Sequence, residues 1–366
     1  MLKSMKHRLL AACQCCPQPF AATAAVATTI SRRDVLMGGA ATAASVALPH
    51  RVFAQAKAHR IDVHHHIVPP TWLAAMDVIG RSDFPLSHWS VEKTLEDMDK
   101  GGVATAITSP TTPQVTPLGK AAAARVARES NEYAAKLMAD HPGRFGVFAM
   151  LPLPNIDDSL KEIAYAFDTL KVDGVGLMTS YRDKWLGDAA FAPVWEELNR
   201  RKATVYTHPT SPNCCVNLVP GVPDYMIEFG TDTARSIASL ILSGTSQKYK
   251  DINWIWSHGG GGLTAFAERF LVQVVSIPPY KGKFTREIVD GELKRFYYDT
   301  AQVSGEVTLD ALAKLVPVSQ IVYGTDFPYR TAADHTKGVT AYFKGDDLNK
   351  VDRENAVRLI PRLKMA

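Results

Sequence analysis

From Arg60 onward the chain alternates two hydrophobic rhythms. Short, nearly unbroken apolar runs lie at 60–66, 103–109, 145–151, 173–178, 203–208, 253–258, 295–300 and 320–326. Runs of this length predict strands buried on both faces, as in a parallel sheet covered by helices. Between them lie amphipathic stretches at 118–140, 157–170, 190–201, 231–243, 263–275 and 306–315. The longest is rich in alanine and carries Arg125, Arg128, Glu129 and Lys136 for an outer, solvated face. Eight strands alternating with helices predict an α/β fold closed as a (β/α)8 TIM barrel. An open doubly wound sheet is the alternative. It is weakened because Gly259-Gly260-Gly261-Gly262 does not match the dinucleotide fingerprint and follows the sixth strand instead of the first.

The first 56 residues do not share this rhythm. Ser31-Arg32-Arg33-Asp34-Val35-Leu36-Met37 is a twin-arginine pattern, followed by the mildly apolar 38–48 and by the small-x-small site Ala54-Gln55-Ala56. Residues 1–56 therefore read as a signal peptide removed on export, and 57–366 as a single barrel domain. The expected partner is the twin-arginine translocase, and the expected location is the periplasm or the exterior. The apolar stretch is too short and too rich in Ala and Gly to act as a stable membrane anchor. Residues 1–30 make a long lead-in, consistent with a start codon placed too far upstream.

Charge changes meaning once that segment is set aside. The whole chain carries 41 basic and 37 acidic residues; 1–56 holds six of the former and one of the latter, leaving 35 against 36. The basic balance belongs to the leader, and the rest gives no case for nucleic acid. Cys13, Cys15 and Cys16 also fall in the leader. Cys214 and Cys215 are no disulfide framework; they read as two thiols, with a strained vicinal bridge the alternative, in a loop after His208 that would line the site mouth.

Chemistry concentrates at the strand ends. His64, His66, His208, His258 and Asp326 each close an apolar run, and in a barrel the C-terminal strand ends converge on one active site. Imidazole and carboxylate are costly to bury unless compensated, and a divalent cation compensates them directly. Alternation along the first strand places His64 and His66 inward and His65 outward as a packed, hydrogen-bonded ring. By the same alternation Asp62 lies inward, one step deeper, in a polar network. Gly259 to Gly262 would turn the chain sharply beneath the metal and bring N–H groups near it. Candidate pocket residues on the loops are Trp72, Tyr181, Arg182, Phe327, Tyr329 and Arg330, with Arg269 on the following helix. Arginine is the natural clamp for an acid.

Four motifs carry a family resemblance: Ile-Asp-Val-His-His-His-Ile-Val-Pro-Pro, Thr-His-Pro, Ser-His-Gly-Gly-Gly and Tyr-Gly-Thr-Asp-Phe-Pro. They resemble the amidohydrolase superfamily, in the branch of aminocarboxymuconate semialdehyde, γ-resorcylate and 6-methylsalicylate decarboxylases. The similarity runs from about Arg60 to Asn355-Ala356-Val357-Arg358-Leu359-Ile360-Pro361, which is like the family's closing helix. The resemblance implies one Zn²⁺ or Mn²⁺ on His64, His66, His208 and Asp326, with His258 the catalytic histidine beside it. Some relatives have Glu where this chain has His64. Binuclear relatives carry a bridging Lys or Glu after the fourth strand, where Asp173-Gly174-Val175-Gly176-Leu177-Met178-Thr179 has none; one metal follows. The implied activity is non-oxidative decarboxylation of a small hydroxy-aromatic acid, with either Asp326 or a metal-bound water assisted by His258 as the proton donor to the ring. A metal-dependent lactone or amide hydrolase is the alternative, and a non-catalytic binding protein a third. Relatives of this kind are often homo-oligomers.

Overall fold

The structure is a computed structural model that describes residues 59–81, 84–278 and 280–365. The leader, its paired arginines and its three cysteines lie outside the described residues. Among the described residues no helix is long and apolar enough to cross a membrane.

Eight barrel strands appear where the apolar runs predict them: β1 Arg60–His66, β2 Val103–Ser109, β3 Phe145–Met150, β4 Gly174–Met178, β5 Thr204–His208, β6 Asn253–Trp256, β7 Tyr297–Asp299 and β8 Ile321–Val322. All neighbours pair in parallel and in chain order. The last two strands are shorter than the sequence suggests. After Val322 the chain leaves the ladder and closes the ring by single hydrogen bonds: Val63 N donates to Tyr323 O (3.0 Å), Asp326 N to His64 O (2.8 Å) and His66 N to Phe327 O (2.8 Å). Gly324 makes this closure possible, since a Cβ there would lie 2.8 Å from the Cβ of His64.

Helices cover the outside. α1 Pro70–Val78 follows β1, α2 Lys120–Asp140 follows β2, α3 Asp224–Leu242 follows β5 and α4 Leu263–Ser276 follows β6. α3 starts at Asp224, well before the amphipathic stretch at 231–243, because Pro223 at its N-cap has the extended backbone from which a helix can begin. Inside the barrel, Ile61, Val63, Ile107, Phe148, Tyr206, Ile255 and Val322 pack on Ala356, Leu359, Ile360 and Leu363 of the C-terminal segment. The closing segment thus seals one end of the barrel with apolar side chains. Burying a ring such as Phe148, stacked on Tyr206 at 5.5 Å, is worth about 1.5–3 kcal/mol. Polar side chains are left to gather at the opposite end.

β1 breaks the simple alternation. Its pairing with β2 shifts register between Asp62 and His65. The shift lets Ile61 and Val63 face the apolar interior while His64 and His66 still face inward above them. Asp62 is thereby turned to the side of His65, correcting the inward placement expected from alternation. Its carboxylate accepts from His65 Nδ1 (2.9 Å), His64 N (3.0 Å), Thr325 N (3.0 Å) and Thr325 Oγ1 (2.6 Å), tying β1 to the chain after β8. His65 is the packed ring expected of it, stacked on Phe327 at 4.7 Å.

Candidate metal centre

His64, His66, His208 and Asp326 are buried together, with one donor atom from each lying within 4.8 Å of all the others. β1 supplies two of them, β5 the third, and the turn after β8 the fourth. His64 Nε2 lies 3.2 Å from His66 Nε2, and each is 3.1 Å from Asp326 Oδ1.

The opposite ring nitrogens decide what these atoms are. His66 Nδ1 faces the Ser109 carbonyl at 3.2 Å and His208 Nδ1 the Pro209 carbonyl at 2.8 Å. His64 Nδ1 faces Asp299 Oδ2 at 2.7 Å. A carbonyl or carboxylate can only accept, so each Nδ1 carries the proton and donates it. Three Nε2 lone pairs and a carboxylate oxygen then converge, all acceptors with no donor among them. A divalent cation is the group that satisfies such a set, and histidine fixed by an outer hydrogen bond is its usual ligand. The donor set fits one divalent metal.

Titration behaviour agrees. Burial alone would lower His64, but Asp299 and Asp326 outweigh it and push the ring up to about 10. The two carboxylates therefore demand positive charge at this point. A proton on His64 meets that demand only in part, because the lone pairs of His66 and His208 still face it. Burial above all holds His66 below its ordinary value and His208 well below it, keeping both neutral as ligation requires. Asp326 is buried, which raises a carboxyl, yet the positive charge drawn to His64 and the imidazoles of His258, His64 and His66 packed against it hold it well below the usual range.

His258 stands outside the four. Its ring stacks on His64 at 5.0 Å, and its Nε2 lies 3.3 Å from Asp326 Oδ2, the oxygen turned away from His64 and His66. The same oxygen accepts from Gln302 Nε2 at 2.8 Å. Both His258 (φ 52°) and Asp326 (φ 69°) have left-handed backbones, uncommon for residues other than glycine and concentrated at functional sites. The glycines after His258 do make a sharp turn, with Gly261 against the backbone of Gly230. Three of their N–H groups are spent on nearby carbonyls. Gly260, Gly261 and Gly262 donate to Ser257, His258 and Gly230 carbonyls.

Two residues of the centre are not among the candidates read from the sequence. Asp299 ends β7 and accepts from His64 Nδ1 with one oxygen and from His258 N (2.8 Å) and Ala301 N (3.0 Å) with the other. It closes an apolar run as the other site residues do, so the signal was present. Gln302 lies in the following loop and offers no such signal.

Comparison with known proteins agrees with this geometry. The amidohydrolase family profile matches residues 61–362. The chain belongs to the amidohydrolase family. It is 37% identical over 332 residues to decarboxylase yanB of Aspergillus niger, covering 84% of this chain and 88% of the relative. It is 36% identical over 322 residues to the 6-methylsalicylic acid decarboxylase acuB of Aspergillus aculeatus, covering 84% and 97%. Among solved structures, the dihydroxybenzoic acid decarboxylase of a Polaromonas species, with bound manganese and 2-nitroresorcinol, superposes with a TM-score of 0.73 at 23% identity, covering 83% and 97%. These relatives place the chain among carboxy-lyases.

As in other barrels, this amidohydrolase opens above the strand ends. A cavity of about 480 Å³ is walled by Thr112, Pro113, Thr116 and Pro117 after β2, Ser180 and Arg182 after β4, and Thr210–Asn213 and Val216 after β5. Arg81, Asp224 and Phe229 complete it, and the Phe229 ring lies 6.1 Å from His208. Of the candidate pocket residues only Arg182 lines it. Trp72 is fully buried, its Nε1 donating to Gln114 O at 3.0 Å, so it supports the loop after β2 from below. Tyr181 is buried too; its hydroxyl accepts from Met178 N, and burial pushes its pKa above the ordinary value. Phe327 is spent on His65, Arg330 pairs with Asp334 at 2.7 Å, and Arg269 is exposed on α4. Glu268, a potential partner for Arg269, pairs instead with Arg286 at 2.6 Å. Tyr329 approaches His66, with ring centroids 6.0 Å apart.

Proposed function

We propose that the protein is a metal-dependent, non-oxidative decarboxylase of a small hydroxy-aromatic acid of the 6-methylsalicylate kind. The observation that carries this is the convergence of three imidazole lone pairs and Asp326 Oδ1, with His258 held outside that set against Asp326 Oδ2. A bound Zn²⁺ or Mn²⁺ would supply Lewis acidity and hold the substrate carboxylate and its neighbouring hydroxyl. His64, His66, His208 and Asp326 would be its ligands, each already oriented by a hydrogen bond on its far side or along its backbone.

His258 and Asp326 then act as a proton-moving pair, since Nε2 and Oδ2 lie 3.3 Å apart. The proton goes to the ring carbon bearing the carboxylate. The carbon–carboxylate bond then breaks from the dearomatised ring, its electrons restore aromaticity, and CO₂ leaves with the proton in its place. Phe229 offers an apolar face beside His208, and Arg182 a charge for a polar substituent.

The purified protein, loaded with either metal, should release CO₂ and 3-methylphenol from 6-methylsalicylate. Turnover of lactones with no CO₂ from any salicylate-type acid would favour a hydrolase instead. Export by the twin-arginine route is also proposed from Arg32 and Arg33. Changing both to lysine should leave the protein in the cytoplasm, and undiminished periplasmic recovery would refute this.

A further inference from the structure

Cys214 and Cys215 are used by neither the metal centre nor the proton-moving pair, yet they lie in a loop whose residues on both sides of them wall the cavity. The loop after β5 makes one turn at Asn213–Cys215, held by Cys215 N donating to Pro212 O at 2.9 Å. Thr210, Ser211, Pro212 and Asn213 line the cavity on one side of the pair and Val216 on the other. The two Sγ atoms lie 2.7 Å apart as free thiols; Cys214 is exposed and Cys215 buried. We propose that this pair is a thiol–disulfide modification site at which small-molecule disulfides close a vicinal bridge and reshape the cavity wall.

The asymmetry of the pair sets the order of events. Thiol–disulfide exchange needs an accessible thiolate as the attacking group. Cys214 is the accessible sulfur. The hydrogen bond to Cys214 and then burial push the Cys215 thiol up to about 11, so Cys215 keeps its proton. The Cys214 thiolate attacks one sulfur of the reagent; the reagent S–S bond breaks, and one thiolate leaves. Cys215 then releases its proton to solvent and attacks Cys214 Sγ, expelling the second reagent thiol. Two protein thiols lose two electrons in total, and the reagent disulfide gains them.

Closing the ring has a structural consequence. Disulfide-linked residues usually have Cα atoms about 4.4–6.8 Å apart. Adjacent Cα atoms across a trans peptide are only about 3.8 Å apart. That span is fixed by the peptide bond, so the eight-membered ring itself takes up the strain in the dihedral angles of Cys214 and Cys215. Asn213 and Val216, on either side, carry that strain into the cavity. A bridge strained in this way is easily reduced, which makes the modification reversible.

The test uses the full chain, metal-loaded, incubated with excess oxidised glutathione, then alkylated and digested with trypsin. The peptide 203–235 contains both cysteines and no internal Lys or Arg, so it separates them from Cys13, Cys15 and Cys16. The expected product is this peptide lighter by two hydrogens, unalkylated and free of glutathione, and restored by dithiothreitol. Cys215→Ser should instead stop at a stable glutathione adduct on Cys214, and Cys214→Ser should not react. Hydrogen exchange of 209–222 should change on oxidation, with metal content constant. Full alkylation of both cysteines after exposure, or a lasting glutathione adduct in the unsubstituted chain, would overturn the site. Ring closure with unchanged exchange in 209–222 would overturn the effect on the wall.

Discussion

Replacing Asp299 by asparagine preserves shape and exchanges one acceptor for a donor, so it isolates what the carboxylate does. Three donors point at Asp299: His64 Nδ1 at one oxygen, and the backbone N–H groups of His258 and Ala301 at the other. Asparagine can face them in two ways. With its oxygen toward the two backbone groups, its NH₂ meets His64 Nδ1, which must become an acceptor and move its proton to Nε2. His64 then presents an N–H to the position where its lone pair is needed. With its oxygen toward His64, the NH₂ meets two N–H donors, and the backbone at His258 is pushed away. Either way a charge-assisted bond worth about 1.5–3 kcal/mol is lost. At about 1.4 kcal/mol per decade this is a ten- to more than hundredfold loss, the range typical of outer partners of metal ligands. The assay is competition for Zn²⁺ or Mn²⁺ against a chelator of known affinity, at fixed pH, on the Asp299→Asn and unsubstituted proteins. A dissociation constant within a factor of two of the unsubstituted value would refute the assignment of the His64 tautomer, and with it the argument that acceptors alone converge at the centre.

Other substitutions separate the roles further. His258→Ala should keep about one metal ion per chain and lose about 10²–10⁴ in kcat, whereas His208→Ala should lose metal and activity together; equal metal loss from both would mean the ligands are wrongly assigned. Gly324→Ala places a Cβ 2.8 Å from that of His64 and should destabilise the chain by about 1–3 kcal/mol while lowering metal occupancy, read by chemical unfolding and elemental analysis. His335 is pulled down to about 3, by burial and then by Arg330, against 6.5 when unfolded. Unfolding therefore takes up a proton between those values, so His335 contributes fully above pH 6.5 and its contribution is lost as pH falls from 6.5 toward 3. By pH 5 the loss is about 2 kcal/mol, and His335→Gln should flatten that part of the urea-unfolding profile; an unchanged slope would refute it.

The strands were legible because each is covered on both faces and so writes a continuous apolar run. His64, His66, His208, His258 and Asp326 were legible because each interrupts such a run with a group that burial penalises. Asp299 carries the same mark, but β7 is only three residues long, and the acid sits among tyrosines that read as ordinary strand. Asp62 was placed on the wrong side because a register shift between paired strands has no counterpart in one strand's pattern. Trp72 and Tyr181 look like pocket aromatics on polar loops, yet a large ring gains more from full burial with its polar atom satisfied than from lining an opening. The walls after β2 and β5 are Thr, Pro, Ser and Asn, common turn residues whose convergence depends on barrel closure and not on any local pattern.

The misplaced and the missed carboxylate share one physical role. Left-handed backbone at a residue other than glycine costs about 1–3 kcal/mol and persists only where surrounding bonds over-determine it. At His258 that bond is N–H to Asp299; at Asp326 it is N–H to His64 O, with Asp62 fixing Thr325 just before it. Asp299 thus holds both the His64 ring, through Nδ1, and the backbone of His258. It does so from opposite oxygens of a single fully buried group. The two halves of Asp326 are divided in the same manner: Oδ1 faces His64 and His66, and Oδ2 faces His258 and Gln302. On the proposed roles, metal holding and proton movement are not adjacent functions that happen to share a barrel mouth. Each of these carboxylates serves both, so the spacing between cation and proton is set by the width of a carboxyl group. A flexible loop could not hold two reacting centres to that tolerance, and strand ends tied by buried acids can.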